Sequence, residues 1–243
     1  MKNAAYVNLA RWFEYLNDDC DYEKWSQYLI EKLKSFPLKN GLDIGCGGGW
    51  FTRRFQREGY AMTGLDCSRE MLDKAQETAM KEGVRSEYLF GDIARLKLPR
   101  RFSFAIAVND LVNYLPKEKL VPAFKNVCGA LQKGGVFLFD VSSKRKFEEK
   151  IANTVSVDDR EEVTYLNFSS VQGDKAVMDV TLFTKGKDGK YTRLDERHEQ
   201  YIYEKEEIVS ALEKSGFTFL RLEGHLGESE ETADRLTFLA MRS

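Results

Sequence analysis

Between residues 40 and 143 five short apolar runs alternate with helical periods, and this alternation limits the fold more than any other property of the chain. The runs are "GLDIGC", "YAMTGLD" (60–66), "SEYLFGD" (86–92), "FSFAIAVND" (102–110) and "GGVFLFDVSS" (134–143). A helix is predicted over 50–58. A second begins after Ser68, an N-cap residue, and carries Met71, Leu72, Ala75 and Ala79 on one side. A third holds Leu120, Phe124, Val127 and Leu131. Its regular part is expected to start near Val121, with Pro122 in the first turn. Strand and helix in strict alternation imply a parallel sheet covered by helices on both faces, wound by right-handed crossovers.

The flanks read differently. Residues 4–16 and 22–36 are predicted helical, the second with Trp25, Tyr28, Leu29, Leu33 and Phe36 on one face, stopped by Pro37. After Ser143 the spacing changes to strands without helices between them, over 161–171, 176–185 and 191–203, with turns at "VQGDK" and Asp188-Gly189. A helix at 204–215 ends at Gly216, and strands at 217–224 and 235–242 close the chain. Residues 144–203 read as an insertion. So thin an antiparallel sheet would be marginal alone. The core is then 1–143 with 204–243.

The loop after the first strand reads "LDIGCGGG" at 42–49, four glycines in eight residues. A parallel strand delivers its end to the crevice where α/β sheets bind ligands. Gly45, Gly47 and Gly49 let the backbone turn tightly and remove β-carbons that would hold a ligand away. The next helix aims its free N–H groups at the same place. Acids stand at three successive strand ends, Asp43, Asp66 and Asp92. An acid at the second strand end accepts ribose hydroxyls, and the one at the third reaches an adenine amine, with Ile93 flanking the ring. A dinucleotide fingerprint, G-x-G-x-x-G, requires glycine at position 50, which is Trp50. No Gly-Lys-Ser/Thr follows, so the phosphate-binding P-loop is absent as well.

Composition excludes other classes. The 243 residues are 42% hydrophobic and 31% charged with a net charge of −2, without the basic footprint of a nucleic-acid binder. The two histidines and four scattered cysteines form no zinc pattern, and no metal is expected. Neither a signal peptide nor a stretch of about 18 apolar residues is seen, which points to a cytoplasmic setting and no membrane partner.

Taken in order, "LDIGCGGG", "GLDCSREML", "FGDIARL", "AVNDLVNYL" and "ALQKGGVFLFDVSS" resemble the successive motifs of class I S-adenosylmethionine-dependent methyltransferases. "DYEKWSQYLIEK" and "LDERHEQYIY" are similar to a group of small bacterial members related to small-molecule N-methyltransferases. The resemblance implies a Rossmann-like seven-stranded mixed sheet, its last strand antiparallel, with the 144–203 insertion as a lid over the substrate. It implies S-adenosylmethionine as cofactor, S-adenosylhomocysteine as product, and a small-molecule acceptor methylated by in-line displacement. Asp43 would hold the methionine amino end, Asp66 the ribose, and Asp92 with Ile93 the adenine. Gly45, Cys46, Gly47, Gly49, Cys67, Met71 and Asn109 would line the rest, with Trp25 as an outlying candidate. Asn113, Tyr114, His198 and Tyr201 are the candidates for the substrate side. His198 falls mid-strand, either half-exposed or facing the cavity as a proton acceptor; no other residue is a candidate catalyst. Phe13 and Glu14 stand where the group carries a Tyr-Asp pair. Tyr201 stands where it carries an arginine, which argues against a carboxylate substrate. A monomer or homodimer is expected. Two readings compete with the enzyme: a cofactor-binding protein without catalysis, and a nucleotide-dependent oxidoreductase.

Overall fold

The computed structural model describes residues 6–243 and contains two sheets. The chain enters through a 3-10 turn at Leu9–Arg11, then α1 (Phe13–Leu16) and α2 (Tyr22–Leu33). The core alternates β1 (Asn40–Ile44), α3 (Trp50–Arg57), β2 (Ala61–Asp66), α4 (Arg69–Lys81), β3 (Glu87–Phe90), β4 (Phe102–Ala107), α5 (Lys117–Ala130) and β5 (Leu131–Ser142). The insertion runs through α6 (Lys144–Lys146), a π-helical turn at Phe147–Ile151, and β6 (Thr154–Asp159), β7 (Val163–Gln172), β8 (Lys175–Lys185) and β9 (Tyr191–Tyr201). Then α7 (Lys205–Lys214), β10 (Phe217–Gly224) and β11 (Arg235–Arg242) complete the core.

The seven-stranded sheet has the order β10-β11-β5-β4-β1-β2-β3, and only β11 runs against its neighbours. Side chains alternate between two buried faces. Phe104, Ile106 and Val108 pack with Val136 and Leu138 under α2 and α3, while Ala105, Ala107, Phe137 and Phe139 pack under α5 and α7. Burial on both faces explains why these strands read as continuous apolar runs. Each fully buried phenylalanine stabilises the fold by about 1.5–3 kcal/mol.

Three local expectations need correction. The helix over 4–16 is broken into the 3-10 turn at Leu9–Arg11 and α1: residues 6–8 form a non-helical strap, Tyr6 with φ of +61°, where the Glu196 carboxylate accepts the backbone N–H groups of Tyr6, Asn8 (2.7 Å) and Leu9 (3.1 Å). Residues 4 and 5 lie outside the described residues. Helix α5 begins four residues before Val121, at Lys117, and carries Pro122 in its second turn. Pro122 and Glu118, whose carbonyl loses its partner there, both face solvent, so the loss is small. A fourth insertion strand, β6, pairs with β7. Its Val155 and Val157 are exposed, so the apolar set of this short strand faces outward and not toward a core.

Beyond the core, β6 to β9 form an antiparallel meander. One face packs against the strap through Leu9, Trp12, Val163, Val180 and Leu182. On β9 that inner face carries Glu196, His198 and Gln200, all below 7% exposed. The intervening Arg197 and Glu199 face outward and pair with Asp179 and Lys175.

Candidate cofactor and acceptor site

A cavity of about 850 Å³ opens at the carboxyl ends of β1, β2, β3 and β4, within the size range of small-molecule sites. The glycine loop forms its base. Gly45 and Gly47 have φ of +70° and +51°, and a β-carbon on Gly47 would meet nothing nearer than Met71 Sδ at 3.9 Å. The loop is braced from behind. Arg53, 2% exposed, donates to the Gly48 carbonyl at 2.5 Å and to Glu82 at 3.0 Å. From the front, Asp66 Oδ2 accepts the Gly47 N–H and Oδ1 the Ser68 N–H, both at 2.8 Å. Each Asp66 oxygen keeps a further lone pair for an incoming hydroxyl. Burial pushes the Asp66 carboxyl above its ordinary value, against the pull of those N–H groups.

Eight carboxylic acids line the cavity: Glu14, Asp18, Asp19, Asp21, Glu23, Asp66, Glu70 and Asp92. Among the described residues no lysine, arginine or histidine joins them in the wall. Asp18 and Glu23 are answered from outside it by Arg160 (3.0 Å) and Arg54 (2.9 Å). Glu14, Asp19 and Glu70 make no ion pair among the described residues. The Glu14 carboxylate leans onto the loop, where a β-carbon on Gly48 would stand 2.7 Å from Oε1.

Part of the cavity wall is aromatic, with the Tyr6 ring 5.6 Å from that of Phe13, the neighbour of Glu14. Tyr6 and Tyr114 hydroxyls lie 3.1 Å apart, and Tyr114 Oη is 3.0 Å from His198 Nδ1. His198 Nε2 in turn lies 2.9 Å from Glu196 Oε1, close enough for an ion pair without an aligned hydrogen bond. Burial alone would raise the Glu196 carboxyl, but His198 and the strap N–H groups hold it below its ordinary value.

The comparisons with known proteins agree with this geometry. Residues 42–135 match the family model described as a methyltransferase domain. The methyltransferase-family protein GWCH70_2453 of Geobacillus sp. (strain WCH70) is 30% identical over 98% of this chain and 100% of its own length. The chain is a class I S-adenosylmethionine-dependent methyltransferase. A solved S-adenosylmethionine-dependent methyltransferase from Clostridium acetobutylicum superposes with a TM-score of 0.88 at 28% identity, covering 99% of this chain and 100% of the other. CalS10, an amino pentose methyltransferase from Micromonospora echinaspora solved with S-adenosylmethionine bound, shares the fold at a TM-score of 0.73 and 22% identity, over 94% of each chain.

The lining of this methyltransferase's cavity fits its cofactor: a sulfonium suits a wall rich in carboxylates, Asp66 would offer acceptors to a ribose, and the buried Leu65, Met71 and Ile93 line the same cavity as Asp92. Of the residues expected from sequence to contact the cofactor, Gly45, Cys46, Gly47, Asp66, Cys67, Met71, Asp92, Ile93 and Asn109 line this cavity. Three do not. Strand alternation turns Asp43 to the α3 face, where its 1% exposed carboxyl accepts Thr52 Oγ1 at 2.5 Å. Gly49 starts α3, and a β-carbon there would point at Tyr88. Trp25 lies in the core, its ring under the Arg235 guanidinium at 4.8 Å.

On the acceptor side only Tyr114 reaches the wall. Asn113 is fully buried and ties the Tyr201 carbonyl to the Ser142 N–H. The Tyr201 ring lies beneath the Lys175 ammonium at 5.7 Å instead. His198 is neither half-exposed nor in the wall: it is 3% exposed, one hydroxyl behind it. Tyr6 and Asp19 are wall residues outside every quoted motif, and Glu14, Glu70 and Leu111 stand in the wall although sequence reasoning assigned them no role at the site. The acid run at 18–21 was the one visible sign of the electronegative rim.

Proposed function

We propose that this methyltransferase acts on a basic amine of a small molecule, with the acceptor lying between the glycine loop and the acids of residues 14–23. The observation that carries this is the wall of eight carboxylic acids with no lysine, arginine or histidine among the described residues that line it. Such a wall attracts a protonated amine and repels carboxylates and phosphates. The amino pentose substrate of CalS10, a protein of the same fold, is compatible with this reading.

A protonated amine is not a nucleophile, so its proton must leave first. Tyr6 and Tyr114 supply a hydroxyl path that ends at His198 Nδ1. Glu196 beside Nε2 favours the tautomer with the proton on Nε2, which leaves Nδ1 free to accept. The bound cofactor supplies a methyl group on a sulfonium, taken by the acceptor nitrogen in an in-line displacement that leaves the sulfur neutral. The chain's own work is to align the two partners and exclude water, with the strap and the β6–β9 sheet as the cover. The four cysteines are unpaired, which supports a reducing, cytoplasmic setting. No helix among the described residues is long and apolar enough to cross a membrane.

The test is label transfer from methyl-labelled S-adenosylmethionine to matched panels of small amines, carboxylates, phenols and phosphates. Transfer to amines is expected, slowed about 10²–10⁴-fold in His198→Ala with cofactor affinity retained. Transfer confined to the acidic acceptors would refute the reading. So would a His198→Ala enzyme as fast as wild type.

A further inference from the structure

Beneath the cavity lies a buried charge cluster that the reaction itself does not use. Strand β4 ends at Ala107, and Asn109 and Asp110 follow with φ of +65° each. Two successive side-chain-bearing residues in the left-handed region form an arrangement that L residues avoid. Asp140, fully buried on β5, accepts both of their N–H groups, at 2.9 and 2.8 Å. Asp110 folds back beside it, taking the Ser142 hydroxyl at 2.8 Å. Two adjacent buried carboxylates would repel. Arg235, from the last strand, bridges them through Nη1 at 2.6 and 2.7 Å. Its Nη2 reaches Asp110 Oδ2 at 3.2 Å and Asn109 Oδ1 at 3.4 Å. Lys146 approaches Asp110 only to 3.8 Å.

We infer that Arg235 is a positioning residue for cofactor binding, holding the Asn109–Asp110 turn in a conformation the turn would not keep by itself. The turn is what the cavity feels. It places Val108, Asn109, Leu111 and Tyr114 in the wall, with Leu111 packed on Gly45. If Arg235 is removed, the turn spends most of its time relaxed. The apparent affinity then falls by the fraction of chains still competent. This role is independent of which acceptor is methylated.

Calorimetric titration with S-adenosylmethionine and with S-adenosylhomocysteine tests it. Left-handed strain at two residues predicts that Arg235→Met weakens both ligands by about tenfold or more. Adding Asn109→Gly to Arg235→Met removes a β-carbon that opposes φ of +65°. It should restore about threefold or more of the affinity, while the melting temperature stays at that of Arg235→Met. A merely structural arginine would move affinity and melting temperature together. Should Arg235→Met show no cooperative melt, the same comparison runs in Arg235→Lys, whose ammonium cannot span both acids. Binding by the arginine variant within about twofold of wild type, or no recovery with glycine, would overturn the assignment.

Discussion

Asp43 stands two residues before the first glycine of the loop, and its carboxyl is 1% exposed. Oδ2 accepts from Thr52 Oγ1, and Oδ1 has no partner among the described residues. Burial raises its pKa from 3.8 to about 7, with the Thr52 hydrogen bond pulling the other way. The folded chain therefore keeps a proton that the unfolded chain has lost, and this group's contribution to stability falls as pH rises from 4 towards 7. Integrating over those two values, the loss between pH 5 and pH 8 is about 2–3 kcal/mol. Asp43→Asn keeps an acceptor for Thr52 and removes the titration. Its amide nitrogen has no partner either, a constant cost that cancels in a pH difference. The assay is urea unfolding of cofactor-free protein at pH 5 and pH 8, wild type against Asp43→Asn. The variant should gain about 2–3 kcal/mol relative to wild type between the two pH values. Parallel pH profiles for the two proteins would show that Asp43 is ionised throughout, and the argument from its burial would fail.

Three further outcomes are expected. If Asp66 accepts the ribose hydroxyls, Asp66→Ala should weaken S-adenosylmethionine and S-adenosylhomocysteine alike by about 1–3 kcal/mol, read by calorimetry, since it also frees the Gly47 N–H. Gly49→Ala forces a side chain to φ +78° and against the Tyr88 hydroxyl, and should lower unfolding free energy by about 1–3 kcal/mol. Glu196→Gln weakens the three N–H contacts that tie down the strap; limited proteolysis should then cut the chain before Phe13 faster than in wild type, with the β-sheet circular dichroism unchanged.

Much of the fold was open to inspection in one dimension. The alternation of "GLDIGC", "YAMTGLD" and "FSFAIAVND" with helical periods returns as β1, β2 and β4 around α3 and α4, because periodicity and burial on both faces are local in sequence. Asp66 and Asp92 fall at strand ends for the same reason, and both line the cavity. Asp43 shows where that logic stops. Its distance from the glycines was informative. Its direction depended on strand parity, which a single residue of register reverses. His198 shows it again: alternation along β9 identified an inward-facing set only once the sheet had something to cover.

The order of strands and helices along the chain and the glycine turn were determined by the sequence alone, since each rests on neighbours within a few residues, and the cofactor was legible from the succession of motifs at the strand ends. The acid-lined chamber was decided by tertiary structure. Glu196 meets the strap across about 190 residues, and Arg235 meets Asp110 and Asp140 across 125 and 95. Such pairs leave no period in the chain. They exist because a buried carboxylate must find donors wherever folding brings them. In this protein such pairings hold the strap and the Asn109–Asp110 turn, both of which contribute to the cavity wall.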